Sequence, residues 1–333
     1  MAKSVLGFDI GTDRVKVVEI KKTKVVRFVN EDLPDGIVVD GQIVAWDALY
    51  DFMTDIMKKG KFGTKVARLV IPDSQTFTLH LATPFMYTKQ LLVNLPYEFR
   101  DFITSDKENY IYDYEITGFT QDENGNDTGL EIIAVAVEKS LMDHYKDLFK
   151  KLRLKLEMAT PQCLCFDVLM ERIDNKFATK DFAIIDLGFS ATRINIFSDG
   201  VFDTARTIET SCRDIVAKIA DIKNCHEKIA AQHMMNNADN ILEDPQIREV
   251  CSSIAVDVMR AVNYYSYEKR ENNLETIYVC GGGAAIKPLI EELIDNVPLK
   301  VEMLSDLTEN QTGKSVFMNG PAAAGICWNG EGE

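Results

Sequence analysis

The 333-residue sequence predicts an α/β protein built as a duplicated pair of lobes, with a small subdomain inserted into the first. Three observations lead there. The chain is longer than one hydrophobic core usually supports, since cores stop growing at roughly 250 to 300 residues. The pattern strand, Asp-x-Gly turn, strand, turn, strand occurs at the N-terminus and again from Phe182, with Asp9 and Asp186 at corresponding places. Between the two copies lies enough alternating and helical sequence for a further unit.

Residues 5–10 form an apolar run closed by Gly11-Thr12, and 15–20 and 25–29 are two more β-branched runs, which together read as a three-stranded meander. Trp46, Leu49, Phe52, Met53, Ile56 and Met57 recur at helical spacing, so 46–59 is a helix covering that sheet. Residues 76–81 alternate like a strand, 87–103 form a helix broken near Pro96, and 110–119 pair with 130–137 across a polar loop. Ser140 caps a helix carrying Leu141, Tyr145, Leu148, Phe149 and Leu152 on one face, and Pro161 opens the next helix.

The second copy has a strand at 182–186, a turn at Leu187-Gly188-Phe189-Ser190, a strand at 193–197, and a Ser198-Asp199-Gly200 hairpin into 201–208. Helices follow at 214–222, 227–236 and 245–270. A strand at 276–280 then runs through Gly281-Gly282-Gly283-Ala284 into a helix with Pro288 in its first turn, and 321–327 is a small-residue helix able to pack closely. The expected division is a first-lobe core at 1–75 completed by 155–181 and 315–333. Residues 76–154 make the inserted subdomain with its return helix, and 182–314 the second lobe, with a helical subdomain at 214–270.

A net charge of −15 disfavours nucleic acid as a partner, and the Lys/Arg clusters Lys21-Lys22 and Lys58-Lys59 are too short to reverse that. The seven cysteines lie mostly in apolar runs, and Cys163-x-Cys165 and Cys225-His226 lack the paired spacing of a zinc site. None of His80, His144, His226 and His233 has a nearby Ser or Cys arranged as a nucleophile, and no residue is assigned as catalytic. No stretch reaches the roughly 18 apolar residues of a membrane span. The N-terminus has no leader pattern and the tail at 329–333 is acidic, so a cytosolic protein without direct membrane insertion is expected.

A triphosphate needs backbone N–H donors unobstructed by side chains, and a tight Gly turn with a small hydroxyl residue supplies them. Gly11, Thr12 and Asp13 are one candidate loop and Gly188, Phe189, Ser190 and Thr192 the other, with Lys16 aimed at the phosphates. Asp9 and Asp186 would hold Mg²⁺ through water, which that ion surrenders reluctantly. Gly281, Gly282, Gly283 and Ala284 would admit a nucleoside close to backbone. One Asp-x-Gly turn alone is usually an ordinary hairpin. Two at equivalent places followed by the Gly-rich turn argue for nucleotide in a cleft between the halves.

Phe8-Asp9-Ile10-Gly11-Thr12, Asp186-Leu187-Gly188-Phe189-Ser190-Ala191-Thr192, Gly281-Gly282-Gly283-Ala284 and Pro321-Ala322-Ala323-Ala324-Gly325 resemble, in order, four motifs of the actin-like ATPase superfamily. These are its two phosphate motifs, its adenosine motif and its second connecting helix, set on a ribonuclease H-like duplicated fold. Within it, Gly7-x-Asp9-Ile10-Gly11-Thr12-x-x-Val15-Lys16-x-Val18-Glu19 looks most like the PilM family of type IV pilus assembly proteins, relatives of the division protein FtsA. The resemblance implies an ATP- and Mg²⁺-binding cytoplasmic scaffold at the inner face of the membrane. Its partner would be the cytoplasmic tail peptide of a PilN-like membrane protein, gripped by residues 76–137, with the pilus motor ATPase beyond. Leu91, Leu92 and Leu95 are either an apolar surface for that peptide or subdomain core, the core being the simpler reading.

The chain also departs from the family pattern. Ser211-Cys212 replaces a usual Gly-Gly pair and Val216 a common Thr, Ala230-Ala231-Gln232-His233 lacks the charged groups that usually reach the ribose, and Thr160-Pro161-Gln162 stands where a Glu-Pro is common. Thr160 is no general base at neutral pH and Gln162 at best orients water, so little or no hydrolysis is expected. The alternatives are an FtsA-like polymerising ATPase, which would need an amphipathic C-terminal helix, and a small-molecule kinase, which would need a carboxylate base near that stretch.

Overall fold

The computed structural model describes residues 4–39 and 41–328, so the expectations about the leader region at 1–3 and the acidic tail lie outside the described residues. The chain forms two compact units, Met1–Leu169 with Val201–Thr204 and Ala322–Glu333, and Met170–Gly200 with Ala205–Pro321. Residues 170–181 and 315–321, expected with the first lobe, group with the second unit.

The first unit begins with β1 (Ser4–Ile10), β2 (Arg14–Lys21) and β3 (Lys24–Asp32), an antiparallel meander, followed by the small hairpin β4 (Val38–Val39) and β5 (Gln42–Ile43). Helix α1 (Trp46–Gly60) leads into β6 (Val66–Ile71), which pairs parallel to β1. Then come β7 (Thr76–Pro84), α2 (Thr88–Glu98), β8 (Tyr110–Gln121), β9 (Asp127–Glu138) and α3 (Lys139–Lys151). β10 (Lys155–Pro161) and α4 (Gln162–Ile173) complete the run. The main sheet has the order β10-β6-β1-β2-β3, and the inserted one β7-β9-β8.

β1 is buried along almost its whole length because both faces are covered. Leu6, Phe8 and Ile10 pack with Leu49, Met53 and Ile56 of α1 and with Tyr145, Leu148 and Phe149 of α3. On the other face Gly7 leaves room for the chain near 323, where a Cβ would overlap the Ala323 carbonyl oxygen.

Helix α2 ends at Glu98 and a separate turn follows in which the Phe99 carbonyl accepts Ile103 N at 2.8 Å, the break expected near Pro96, which has no N–H to donate to the Leu92 carbonyl. Two local expectations change. The α3 cap position is Glu138, not Ser140, whose Oγ donates to Glu138 Oε2 at 3.3 Å from the first turn. Pro161 ends β10 opposite Ile71, so α4 starts one residue later at Gln162.

The second unit repeats the design. β11 (Phe182–Leu187), β12 (Thr192–Ser198) and β13 (Val201–Ile208) form the meander, turning through Asp199 and Gly200 at φ 49° and 77° as a tight hairpin requires. α5 (Cys212–Lys223), α6 (Glu227–Asn236) and α7 (Pro245–Glu268) follow, then β14 (Thr276–Cys280), α8 (Lys287–Asn296), β15 (Lys300–Met303) and α9 (Gln311–Asn319), after which the chain re-enters the first unit as α10 (Pro321–Trp328). Its sheet order is β13-β12-β11-β14-β15. Taking strands in chain order, this matches the first sheet position for position. Ile185, Leu187, Ile194 and Ile196 meet Ile215, Ile219, Ile254 and Val258 of α5 and α7 in one core, and Phe182 stacks on Phe197 at 4.6 Å.

The cysteines are free, all buried except the half-buried Cys225. Two histidines isolated in sequence find partners through the fold: His144 stacks on Trp46 at 5.0 Å and His80 Nδ1 lies 3.4 Å from Asp203 Oδ1. Among the described residues no helix is long and apolar enough to cross a membrane.

Candidate functional site

Parallel strands leave their C-terminal ends open for ligands, and each sheet places a carboxylate at that edge. Asp9 stands on β1 opposite Lys16 of β2, and Asp186 on β11 opposite Arg193 of β12. The spacing of seven residues is the same in both. Asp9 is buried, and Lys16 Nζ reaches its Oδ2 at 3.1 Å, so the ammonium expected to meet phosphate already neutralises the strand-end carboxylate. Arg193, with its Nε buried and unbonded, is the second unit's counterpart of Lys16, and reading the sequence alone missed it. The signal was present as the repeated Asp-to-base spacing.

The first turn is tight. Gly11 N donates to the Arg14 carbonyl at 2.9 Å, and a Cβ there would approach that oxygen at 3.1 Å and Lys16 Nζ at 3.4 Å. The Asp13 carbonyl accepts from Leu33 N at 2.7 Å, tying the turn to the chain beyond β3. Burial pushes the Asp13 carboxyl above its ordinary value, against the opposing pull of Lys16 and Arg14.

In the second unit Gly188 N donates to the Asp186 carbonyl at 3.0 Å, and the Gly188 and Phe189 carbonyls accept from the first amides of α5, Cys212 and Arg213. The Phe189 ring lies under the Arg213 guanidinium at 5.5 Å and packs on the core, so only its backbone is placed for ligand work. Thr192 departs from expectation. It is buried, and its hydroxyl donates to the Thr210 carbonyl at 2.9 Å, so it ties β12 to the approach of α5 instead of offering a phosphate donor. Ser211 and Cys212, read as a degenerate Gly-Gly pair, have definite work: Ser211 N bonds Asp214 Oδ2 at 2.8 Å as the α5 cap, and Cys212 is buried against Gly283.

The Gly-rich turn closes onto the same edge. Gly281 adopts φ 89°, its N donates to the Met318 carbonyl at 2.7 Å, and any Cβ would strike Asp186 Oδ1 and stand 2.7 Å from the Leu187 carbonyl oxygen. Gly283 and Ala284 are buried, whereas Gly282 is exposed with open space around it. Of the four, Gly282 is therefore the position where a ligand meets bare backbone. Ala230, in the segment expected to approach a ribose, is fully buried in the core.

Folding also brings up a carboxylate that sequence order hid. Asp73, just past β6, accepts from Cys163 N at 3.1 Å at the start of α4, beside buried Thr160 and Gln162. No neighbour in the chain announces it, because 90 residues separate the pair.

On the inserted sheet, Leu91 and Leu95 are core with Phe99, Leu130 and Ile132, whereas Leu92 is 46 % exposed. The outward face of α2 carries Val93 and Tyr97, and Met86, Lys89, Gln90, Val93 and Asn94 line a shallow hollow of about 290 Å³.

The family model described as type IV pilus assembly protein PilM matches residues 7–319. The fold is similar to that in the PilM-PilN type IV pilus biogenesis complex, with TM-score 0.82 and 15 % identity over 97 % of each chain. It is also similar to ethanolamine utilization protein EutJ from Carboxydothermus hydrogenoformans, with TM-score 0.61 and 13 % identity over 97 % of this chain and 90 % of that one. MreB5 of Spiroplasma citri bound to AMPPNP matches with TM-score 0.51 and 13 % identity, over 94 % and 95 %. The fold is thus actin-like, and the model's reach from the first strand to α9 means that the chain belongs to the type IV pilus assembly protein PilM family.

Proposed function

We propose that this protein is an ATP-binding scaffold of the type IV pilus assembly machinery that grips the cytoplasmic tail of a PilN-like membrane protein and turns ATP over weakly or not at all. The observation that carries the nucleotide half is the repeated strand-end pair, Asp9 facing Lys16 and Asp186 facing Arg193, each beside a Gly turn. Each unit by itself offers donors that suit phosphate and a hydrated cation: a strand-end carboxylate with a cationic side chain opposite it in both, and open backbone at Gly282 in the second. Asp9 and Asp186 would hold Mg²⁺ through its waters, and the backbone around Gly11, Thr12, Gly188 and Ser190 would meet the phosphates. Bound Mg²⁺ would neutralise phosphate charge.

Lys16→Ala and Arg193→Ala should each weaken MgATP binding about tenfold or more, the value of a charged hydrogen bond, in calorimetric titration. Unchanged affinity in both would sink the nucleotide assignment. Weak turnover is supported by Thr160 and Gln162, neither of which is a base, and by Asp73 being bound to the α4 amide.

The tail-binding half is supported by family membership and by the exposed α2 face. Val93→Asp should abolish capture of a synthetic tail peptide, from the short cytoplasmic segment of the PilN-like protein, while leaving MgATP affinity unchanged. Retained capture would move the peptide site elsewhere. Through that partner the scaffold would sit at the inner face of the membrane, with the pilus motor ATPase as a further contact.

A further inference from the structure

Lys/Arg clusters too short to matter in sequence are assembled by the first sheet into one basic end. Residues 21–27, 61–65 and 150–155 together carry ten Lys and Arg residues and no acidic one, in a chain with 52 acidic and 37 basic residues. The register places them side by side. Lys21 pairs with Lys24 across the β2–β3 hairpin and with Ser4 at the start of β1. The Lys65 carbonyl accepts Lys155 N at 2.7 Å where β6 and β10 begin. Gly63 N donates to Glu19 Oε1 at 3.1 Å, two residues from Lys21, joining the first and second segments.

These are the N-terminal ends of the parallel strands, the edge opposite Asp9 and Gly11. Arg27, Lys151 and Lys155 are paired with Glu19, Asp47 and Glu157, but the other seven have no ionic partner among the described residues, and all seven are exposed.

We infer that this end of the first unit is an electrostatic docking surface for an anionic phospholipid bilayer. Clusters of four to eight Lys/Arg residues bind anionic headgroups, and the attraction dies within a Debye length of about 8 to 10 Å. A bilayer touching this end alone therefore escapes repulsion from the acidic remainder, whereas an extended nucleic acid running past the patch would meet it. The three segments also expose no aromatic ring on which bases would stack, Phe62 being packed into the core. The inference rests on the scaffold proposal only for a bilayer being within reach; the surface itself stands on charge and register.

The test is flotation of the full chain, without tail peptide, on phosphatidylcholine vesicles with and without about 30 % phosphatidylglycerol. Binding is expected only to the anionic vesicles, and raising NaCl from about 0.05 M to about 0.5 M should release it. Reversing Lys21, Lys24, Lys65 and Lys150 to Glu should cut partitioning at least about a hundredfold, at roughly fivefold per charge. Reversing Lys180, Lys228, Lys269 and Arg270 in the second unit should change it less than about twofold. If the first variant proves unfolded by circular dichroism, the lipid and salt dependence of the unaltered chain decides.

The inference fails if the chain ignores anionic vesicles, if the four-site variant floats as well as the parent, or if a DNA duplex at equal phosphate concentration strips the protein from the vesicles. Tail capture is measured separately, so either reading can fall without the other.

Discussion

At Gly281 the backbone runs at φ 89° with an Asp186 carboxylate oxygen and the Leu187 carbonyl where a Cβ would be. Only glycine tolerates both. Gly281→Ala should destabilise the second unit by about 1 to 3 kcal/mol and displace Asp186, read as a lower melting temperature with weaker MgATP binding. Glu19 gives a prediction in pH. Burial alone would raise its carboxyl, but hydrogen bonds from Arg27, Ser4 Oγ and Gly63 N, with the Arg27 charge, outweigh that and hold it below its ordinary value of 4.5. A carboxyl whose folded value is depressed adds stability above its unfolded value and loses it as pH falls through the folded one. The urea midpoint should thus fall on acidification below about pH 4.5 more steeply in the parent than in Glu19→Gln, and equal slopes would refute the assignment. Glu19 was legible only as part of a family pattern. Its partners lie 15, 8 and 44 residues away, distances that no local signal spans.

At the scale of elements, α10 shows what closes the first unit. Arg68 on β6 is buried, and its guanidinium donates to the Ile326 and Cys327 carbonyls at 3.1 and 2.8 Å, capping the helix's C-terminal end. Arg68→Met keeps the bulk but strands those carbonyls, and should cost about 2 kcal/mol in denaturant titration. Apolar periodicity marked α1, α3, α7 and α8 well because burial follows the helical repeat. It failed on end positions, as at Ser140 and Pro161, where one amide's partner decides. Nor did it separate Leu92 from Leu91 and Leu95, since all three sit on one short helix whose orientation over β8 and β9 is a tertiary fact.

For the whole molecule, MgATP should raise the melting temperature through mass action while phosphate release stays below roughly one event per minute. Release at many cycles per second would contradict the reading of Thr160, Gln162 and Asp73. The two-lobed α/β design was readable because the duplication repeats residue by residue: Asp9 and Asp186, their Gly turns, and hairpins of matching length use local chemistry that sequence displays directly. The strand order, identical in both sheets, was not readable, because parallel pairing of β1 with β6 and of β11 with β14 joins segments dozens of residues apart. The same long-range pairing brought Arg193 opposite Asp186, Asp73 to the start of α4, and three scattered runs of lysine and arginine to one edge. Composition and periodicity thus determined the strand-turn-strand units and the Gly turns that bend them. Which side chains face one another, and so which carboxylate is neutralised, which hydroxyl is spent and where positive charge accumulates, was decided by the sheet, since hydrogen-bonded register is a property of pairs of strands and not of any one of them.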